Sequence, residues 1–156
     1  MDATRTFDVI VVGGGIAGAA LGGILARGGL GVLVVEKEPR FRDRIRGEGT
    51  WPWGVAEARA ASLHELLEMA GTVALEALTF YKDGEPAETD WDLEATGGVP
   101  GMGFSHPVFQ EAAFTWAAAQ GATMIRPAKA THFSDNGRAT LTVVQDDGEK
   151  IGRAHV

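Results

Sequence analysis

The sequence of 156 residues contains no cysteine, and this absence excludes several kinds of chemistry. Disulfide bonds, a catalytic thiol and cysteine-ligated zinc are all ruled out, and a cytoplasmic, reducing location is the expected one. Long apolar runs are also missing, because no segment reaches the roughly 18 consecutive apolar residues that a membrane span needs. The N-terminus lacks the charged and apolar regions of a signal peptide, so we expect neither a leader nor a membrane span.

Positive charge is scarce as well. The 14 Lys and Arg residues face 21 Asp and Glu residues, which gives a net charge of −7 and argues against nucleic acid as a partner. The four histidines, at positions 64, 106, 132 and 155, show no metal-ligand spacing, so no metal site is expected. Hydrophobic residues make up 45% of the chain, which is enough for one globular domain with a real core.

The most informative segment is Phe7–Glu36, which reads FDVIVVGGGIAGAALGGILARGGLGVLVVE. An apolar run leads into a G-x-G-x-x-G pattern, a helix-compatible stretch follows, and a second apolar run ends in an acidic residue. We predict a buried strand at Phe7–Val12, a helix at Gly15–Ala26 and a parallel strand at Gly31–Glu36. This β-α-β order is typical of dinucleotide binding.

Each glycine of the pattern has a physical role in that function. Gly13 permits the tight turn, Gly15 lets the backbone approach a pyrophosphate, and Gly18 lets the helix pack closely on the strand. The unpaired amides at the helix start, together with the helix dipole, then hold the phosphate charge. Glu36 lies near the expected spacing of about 20 residues for a carboxylate that binds ribose hydroxyl groups. A β-α-β unit without a ligand is the structural alternative.

The middle of the chain predicts short elements. The predicted order is an irregular basic segment 39–49, an aromatic turn 51–54, helices 55–61 and 63–70 with Ser62 as the cap between them, a strand 72–82, a weaker strand 88–94, a glycine-rich loop 96–103, a helix 107–119 and a buried strand 122–126. We expect Trp51 and Trp53 to pack in a core, with a place in a cofactor pocket as the alternative.

The last part of the chain alternates strand patterns and turns. Segments Lys129–Phe133, Ala139–Gln145 and Lys150–Val156 are separated by Asn-Gly and Asp-Gly dipeptides, which predicts a three-stranded antiparallel meander. The chain stops within the third strand pattern. We therefore expect a piece of a longer protein, with an unpaired strand edge that favours self-association.

The order of these segments resembles that of the FAD-dependent monooxygenases, which include aromatic hydroxylases, flavin halogenases and geranylgeranyl reductases. Glu36-Lys37 is similar to the family's acid followed by a basic residue. Arg46-Gly47-Glu48 is similar to its R-G-E segment. Ser105–Gln110 opens a helix as in the family, although His106 stands where the family usually has arginine, which puts that contact in doubt.

The resemblance implies an α/β, Rossmann-like FAD-binding βαβ fold with a three-stranded antiparallel meander and part of a substrate-domain sheet. Residues 1–61 and 105–156 would form the FAD-binding domain, incomplete at its C-terminus, and residues 62–104 part of a substrate-domain insertion. The predicted cofactor contacts are Gly13, Gly15, Ile16, Ala17, Gly18, Glu36, Lys37, Arg46, Gly47, Glu48, Gln110 and Ala130. No catalytic residue is assigned, because in such enzymes the flavin carries the redox chemistry.

The expected function is that of an FAD-dependent oxidoreductase, a monooxygenase that acts on a small organic substrate and is reduced by NAD(P)H. A homo-oligomer is compatible with this expectation. Two alternatives stay open at this point: an NAD(P)-binding dehydrogenase, and a nucleotide-binding module without catalysis. Lys37 and the meander favour FAD. For Arg46 a solvated charge is the simpler interpretation, and for Glu48 a turn cap.

Overall fold

A computed structural model describes residues 5–43, 48–75, 79–87, 98–135, 139–145 and 150–155. The chain divides into two compact units, residues 1–42 with 110–156, and residues 43–109. The helices are α1 (Ile16–Arg27), α2 (Pro52–Ala60), α3 (His64–Met69) and α4 (His106–Ala119). The strands are β1 (Arg5–Thr6), β2 (Val9–Val12), β3 (Val32–Val35), β4 (Gly49–Thr50), β5 (Val73–Leu75), β6 (Phe80–Lys82), β7 (Glu85–Ala87), β8 (Gly101–Gly103), β9 (Thr123–Ile125), β10 (Ala128–Asp135), β11 (Ala139–Gln145) and β12 (Lys150–His155).

The first unit contains a parallel sheet with the strand order β2-β3-β9. All four residues of the central strand β3 are buried, because it has a hydrogen-bonded neighbour on each side and α1 against one face. The predicted β-α-β unit is therefore confirmed. It places the end of β3, and Glu36 directly after it, beside the turn that leads from β2 into α1.

Two glycines inside α1 allow this helix to pack closely. A Cβ atom at Gly22 would lie 2.6 Å from Cγ2 of Val34 on the sheet. A Cβ atom at Gly23 would lie 2.3 Å from Cζ3 of Trp116 on α4, whose side chain is completely buried. Each glycine costs roughly 1 kcal/mol of helix propensity relative to alanine, and the close packing of Val34 and Trp116 offsets that cost.

The strand β2 is shorter and less buried than the sequence predicts. It covers Val9–Val12 rather than Phe7–Val12, and Val12 is 63% exposed. The reason is its position, because within the described residues β2 pairs with β3 alone and forms an edge of the parallel sheet. Phe7 instead packs in a core between this sheet and the meander, together with Leu33, Val35, Ala128, Leu141 and Val143.

The predicted antiparallel meander is confirmed as β10-β11-β12. We expected an unpaired strand edge where the third strand ends. The structure contradicts this at residues 154 and 155, because β1 pairs with β12 there. Residues Arg5 and Thr6 pair in parallel with Ala154 and His155 of β12, which gives the sheet order β1-β12-β11-β10. A contact of such large sequence separation leaves no local pattern that the meander prediction could use. The central turn residues 136–138 and 146–149 lie outside the described ranges.

The second unit contains a three-stranded sheet of order β4-β8-β5, the helices α2 and α3, and the hairpin β6-β7. The predicted strand 72–82 is in fact two strands in different sheets, and residues 76–78 between them lie outside the described part. The predicted loop 96–103 ends in β8, which is the central strand of its sheet. The predicted strand 88–94 lies outside the described residues.

Two local predictions in this unit are wrong. Pro52 begins α2 instead of a turn, because its fixed φ and missing N–H suit the first helical position. Ser62 does not cap α3, since the N-cap is Leu63 and Ser62 adopts a left-handed φ of 58°. The assignment of residues 62–104 to a substrate domain stays a prediction, and the compact unit itself spans residues 43–109.

Trp51 and Trp53 are exposed by 42% and 59%, so the prediction that they pack in a core is wrong. Their rings stack on each other, with centroids 5.0 Å apart and an angle of 7° between the planes. Each ring therefore shields one face of the other from water, and the pair needs no deeper burial to form.

The packing of α1 on α4 leads to a stability prediction. We expect Gly23→Ala to destabilise the protein by about 1–3 kcal/mol despite the better helix propensity of alanine, because the new methyl group collides with Trp116. Trp116→Phe alone should also destabilise, by leaving a cavity. Since the cavity accepts the methyl group, the double variant should lose less than the sum of both. Chemical denaturation of all four proteins measures this, and additive losses would contradict the contact.

Candidate nucleotide-binding site

Two glycines of the motif are required by the backbone of the turn itself. Gly13 has a φ of 107°, a conformation that side chains disfavour, and its amide donates to the Val35 carbonyl over 2.8 Å. A Cβ atom at Gly18 would lie 1.9 Å from the carbonyl oxygen of Gly13 and 3.2 Å from Cγ1 of Val11. The structure therefore shows the tight turn and the close helix–strand contact that the sequence predicts for Gly13 and Gly18.

The other two glycines of the turn differ from each other. A Cβ atom at Gly14 would lie 2.8 Å from Cβ of Glu36 and 3.0 Å from the Phe114 ring, so packing requires this glycine. A Cβ atom at Gly15 would have the Nε2 atom of Gln110 as its nearest neighbour, at 3.5 Å. A side chain at Gly15 would thus make only an ordinary van der Waals contact, while Gly14, a position that the motif leaves free, is the one that the protein itself needs.

The N-terminus of α1 follows this turn with its amides available. Its N-cap, Gly15, offers no side-chain acceptor, and the first turn contains no acidic residue. Helix geometry leaves the first N–H groups, among them those of Ile16 and Ala17, without intrahelical acceptors. The helix dipole adds a partial positive charge at the same end. The missing side chain of Gly15 and the unsatisfied donors that follow it make this end suited to an anion.

Among the described residues, Glu36 is the charged residue that is buried, with 6% of its surface exposed. Its Oε2 accepts the Gly14 amide over 2.7 Å, and its Oε1 accepts the Glu38 amide over 2.8 Å. Its own backbone is held on both sides, because its N–H donates to Ile125 and its carbonyl accepts from Ala128. A carboxylate has about four acceptor sites, so two remain for further donors such as hydroxyl groups.

A pocket of about 290 Å³ lies next to this carboxylate, at the carboxyl ends of β2 and β3. That volume is near the lower end of the range for small-molecule pockets. Its lining residues are Val12, Gly13, Val35, Glu36, Lys37, Ala128, Lys129 and Ala130. Four of them, Gly13, Glu36, Lys37 and Ala130, are predicted contacts, and the structure brings them together here.

Three further lining residues, Val12, Val35 and Ala128, were not predicted as contacts. Val12 and Val35 match the apolar pattern of strands, which predicts core positions. Their position could have predicted the contact, because each is the last residue of a strand in a parallel sheet. Ligands bind outside the carboxyl ends of such strands. Ala128 has no such signal, since the packing that brings β10 to the pocket joins distant parts of the chain.

An ion pair lies behind the turn, on the side of α4. The Arg126 guanidinium donates to both carboxylate oxygens of Glu111, with Nη1 to Oε1 at 2.9 Å, and the Phe41 amide donates to the same Oε1 over 3.3 Å. The guanidinium carbon of Arg126 lies 4.2 Å from the centre of the Phe114 ring. Chiefly through hydrogen bonding, Arg126 holds the pKa of Glu111 below its ordinary value, so this carboxylate is ionised at neutral pH.

The remaining predicted contacts are placed less fully. Arg46 and Gly47 lie outside the described residues. Glu48 is exposed in the second unit, where its backbone carbonyl accepts the Phe104 amide over 2.8 Å. His106 begins α4 with a buried Nδ1 atom that has no hydrogen-bond partner in the described part of the chain. The roles of Arg46, Gly47 and Glu48 toward a cofactor stay predictions.

The described residues contain neither a candidate metal site nor a candidate membrane-spanning helix. No group of three or more His, Cys, Asp or Glu side chains there could hold a metal ion. No helix in that part combines the length and the apolar character that crossing a membrane requires.

Comparison with known proteins places this site in a known family. A family model described as "FAD binding domain" matches residues 6–152. A squalene monooxygenase of Candida glabrata is 30% identical over 105 residues, which are 65% of this chain and 22% of that protein. The chain spans about a fifth of the length of the curated relatives it matches.

Solved structures show the same fold. A flavoprotein/dehydrogenase of Cytophaga hutchinsonii aligns with a TM-score of 0.82 and 22% identity, over 97% of this chain and 37% of that one. The FAD-dependent chondrochloren halogenase of a myxobacterium aligns with a TM-score of 0.77 and 22% identity, over 97% of this chain and 36% of that one. The family match over most of the chain decides the matter: the protein belongs to the family described as "FAD binding domain".

Proposed function

We propose that this chain is the nucleotide-binding part of an FAD-dependent oxidoreductase, a monooxygenase that acts on a small organic substrate and draws its electrons from NAD(P)H. Family membership supports the cofactor. The names of its relatives, a squalene monooxygenase and an anhydrotetracycline hydroxylase of Streptomyces rimosus among them, support the type of reaction. Both of those proteins act on organic molecules by name, and the substrate proposed here is of that general class.

The observation that carries the proposal is the hydrogen bond from the Gly14 amide to Glu36. It joins the end of β3 to the turn before α1, so that an anion-binding helix end and a carboxylate-lined pocket lie side by side. A dinucleotide needs both features within one short distance, because its pyrophosphate and its ribose are neighbouring groups. The amides of Gly14 and Glu38 use about two of the four acceptor sites of this carboxylate, so acceptor sites remain for a ligand.

The proposed contacts follow from the chemistry of each part. The amides of Ile16 and Ala17 at the start of α1, beside Gly15, would hold the pyrophosphate. The free acceptor sites of Glu36 would take the ribose hydroxyl groups, and the backbone at Ala130 would line the adenine. Lys37 lines the same pocket and supplies positive charge. Arg46, Gly47, Glu48 and Gln110 are proposed as further contacts to the cofactor.

When bound, the flavin supplies the electron-transfer and oxygen chemistry of the reaction. The residues of this chain bind and orient the cofactor, and no side chain of the chain is assigned a role in proton transfer. We further propose a reducing, cytoplasmic location, because the sequence contains no cysteine. Assembly into a homo-oligomer is part of the same proposal.

An absorption spectrum of the purified protein at its native length tests the proposal. We expect flavin bands at roughly 370 and 450 nm, the positions for oxidised flavin, and FAD as the nucleotide released on denaturation. A substrate-stimulated oxidation of NAD(P)H would support the monooxygenase assignment. A colourless protein that binds NAD(P) instead would favour the dehydrogenase, and a flavoprotein without turnover would favour a binding module.

Gly15 and Gly18 give a matched pair of variants. Gly15→Ala adds a methyl group that would lie 3.5 Å from Nε2 of Gln110, an ordinary contact distance, so we expect nearly unchanged folding stability. We expect a loss of FAD affinity of tenfold or more, on the order of 1.4 kcal/mol. Gly18→Ala places the same methyl group against the Gly13 carbonyl, so it should disturb the turn and lower the melting temperature. Fluorescence titration with FAD and thermal unfolding measure both effects. Full FAD affinity in Gly15→Ala would show that the turn is not the phosphate site.

Glu36 gives a prediction about charge and hydrogen bonding together. Glu36→Gln replaces one acceptor oxygen by an NH₂ group, which would face an amide donor and contribute no acceptor for the ribose. We expect FAD affinity to fall by about 1–3 kcal/mol, the range for a lost hydrogen bond to a charged group. Glu38→Gln makes the same change of charge two residues away and should bind FAD as the wild type does. Equal affinities in all three proteins, measured by calorimetric titration, would refute the role of Glu36.

A further inference from the structure

We propose that Arg126 and Glu111 are positioning residues for the nucleotide site. Neither residue lines the pocket. They hold the glycine turn and the Glu36 segment in the geometry that binds the cofactor. This inference rests on the proposed function, and it adds a device that controls the affinity of that same site.

The ion pair between Arg126 and Glu111 contributes more to the orientation of side chains than to the free energy of folding. Its side chains are 23% and 39% exposed for Arg126 and Glu111, and ion pairs with such exposure usually add little to stability. The contact is nevertheless two-pronged, and the guanidinium also lies over two rings, 4.2 Å from the centre of Phe114 and 5.3 Å from that of Phe41. The planar guanidinium of Arg126 is thus held by the carboxylate and by both rings, and these contacts fix its orientation.

The first path from the pair leads to the glycine turn. The Phe114 ring, which the guanidinium covers, lies so close to Gly14 that a Cβ atom there would be 3.0 Å away. The amide of Gly14 in turn donates to Glu36. Because interiors pack without slack, a displaced Phe114 ring would change the position of this amide and with it the start of α1.

The second path leads to the segment after Glu36. The Phe41 amide donates to Glu111, and the Phe41 ring packs edge-on against Phe114 with centroids 6.3 Å apart. At the other end of the segment, the Glu38 amide donates to Glu36. The residue before Arg126, Ile125, accepts the backbone amide of Glu36. One ion pair thus supports the buried carboxylate from both directions.

Two conservative variants and one control test the inference. Arg126→Lys keeps the charge but loses the planar fork, and Glu111→Gln keeps the shape but loses the charge. Arg27→Lys is the control, because Arg27 also lies over a ring, 5.7 Å from the centre of Trp116, but at the far end of α1. FAD dissociation constants are measured by fluorescence titration on the protein at its native length, at a temperature where circular dichroism shows every variant folded.

We expect both Arg126→Lys and Glu111→Gln to weaken FAD binding by about tenfold, within the range for residues that act on a site through their neighbours. Arg27→Lys should bind FAD as the wild type does. Hydrogen exchange of the FAD-free proteins gives a second readout. Exchange should become faster at residues 13–18 and 36–41 in the two test variants, and should be unchanged there in the control.

Wild-type affinity in Arg126→Lys and Glu111→Gln would overturn the inference while leaving the proposed function intact. An equal loss in the control would also overturn it, because the effect would then be general destabilisation. A wild-type protein that binds no FAD would overturn the proposed function and this inference with it.

Discussion

The hydrogen bond between the Gly14 amide and the Glu36 carboxylate is the contact on which the rest of the site depends. Glu36 is 6% exposed, and a carboxylate buried to that degree needs donors to offset its lost hydration. The amides of Gly14 and Glu38 provide two of them. The turn therefore needs the carboxylate for its shape, and the carboxylate needs the turn for its burial. A ligand that uses the remaining acceptor sites meets a site that is already formed.

Steric constraints act in the same place. Gly18 must lack a side chain because the Gly13 carbonyl occupies that space, and Gly14 must lack one because Glu36 and Phe114 do. Gly15 has no such neighbour apart from Gln110. The protein's own packing therefore accounts for the glycines at positions 14 and 18, and it does not account for Gly15. The phosphate contact proposed for Gly15 would explain that third glycine.

Local patterns explain which features could be predicted from the sequence. The β-α-β unit and the meander follow from apolar periodicity and turn residues, which act over a few positions. The pairing of β1 with β12 joins Arg5 to Ala154, and the Arg126–Glu111 ion pair joins the residue after β9 to α4. Neither contact produces a pattern among neighbouring residues in the sequence. For the same reason Ala128 was not predicted to line the pocket. The prediction for Trp51 and Trp53 was wrong for another reason. Large hydrophobic side chains are expected to be buried, but these two rings stack on each other while both stay exposed.

The central claim is that the turn and the start of α1 hold the phosphate groups of FAD. Nuclear magnetic resonance of ¹⁵N-labelled protein during titration with FAD tests it most directly, because each amide reports its own hydrogen bonding. We expect large shifts for the amides of Gly15, Ile16 and Ala17, with the Gly14 amide still protected by its bond to Glu36. Saturable FAD binding that leaves these three resonances unmoved would contradict it.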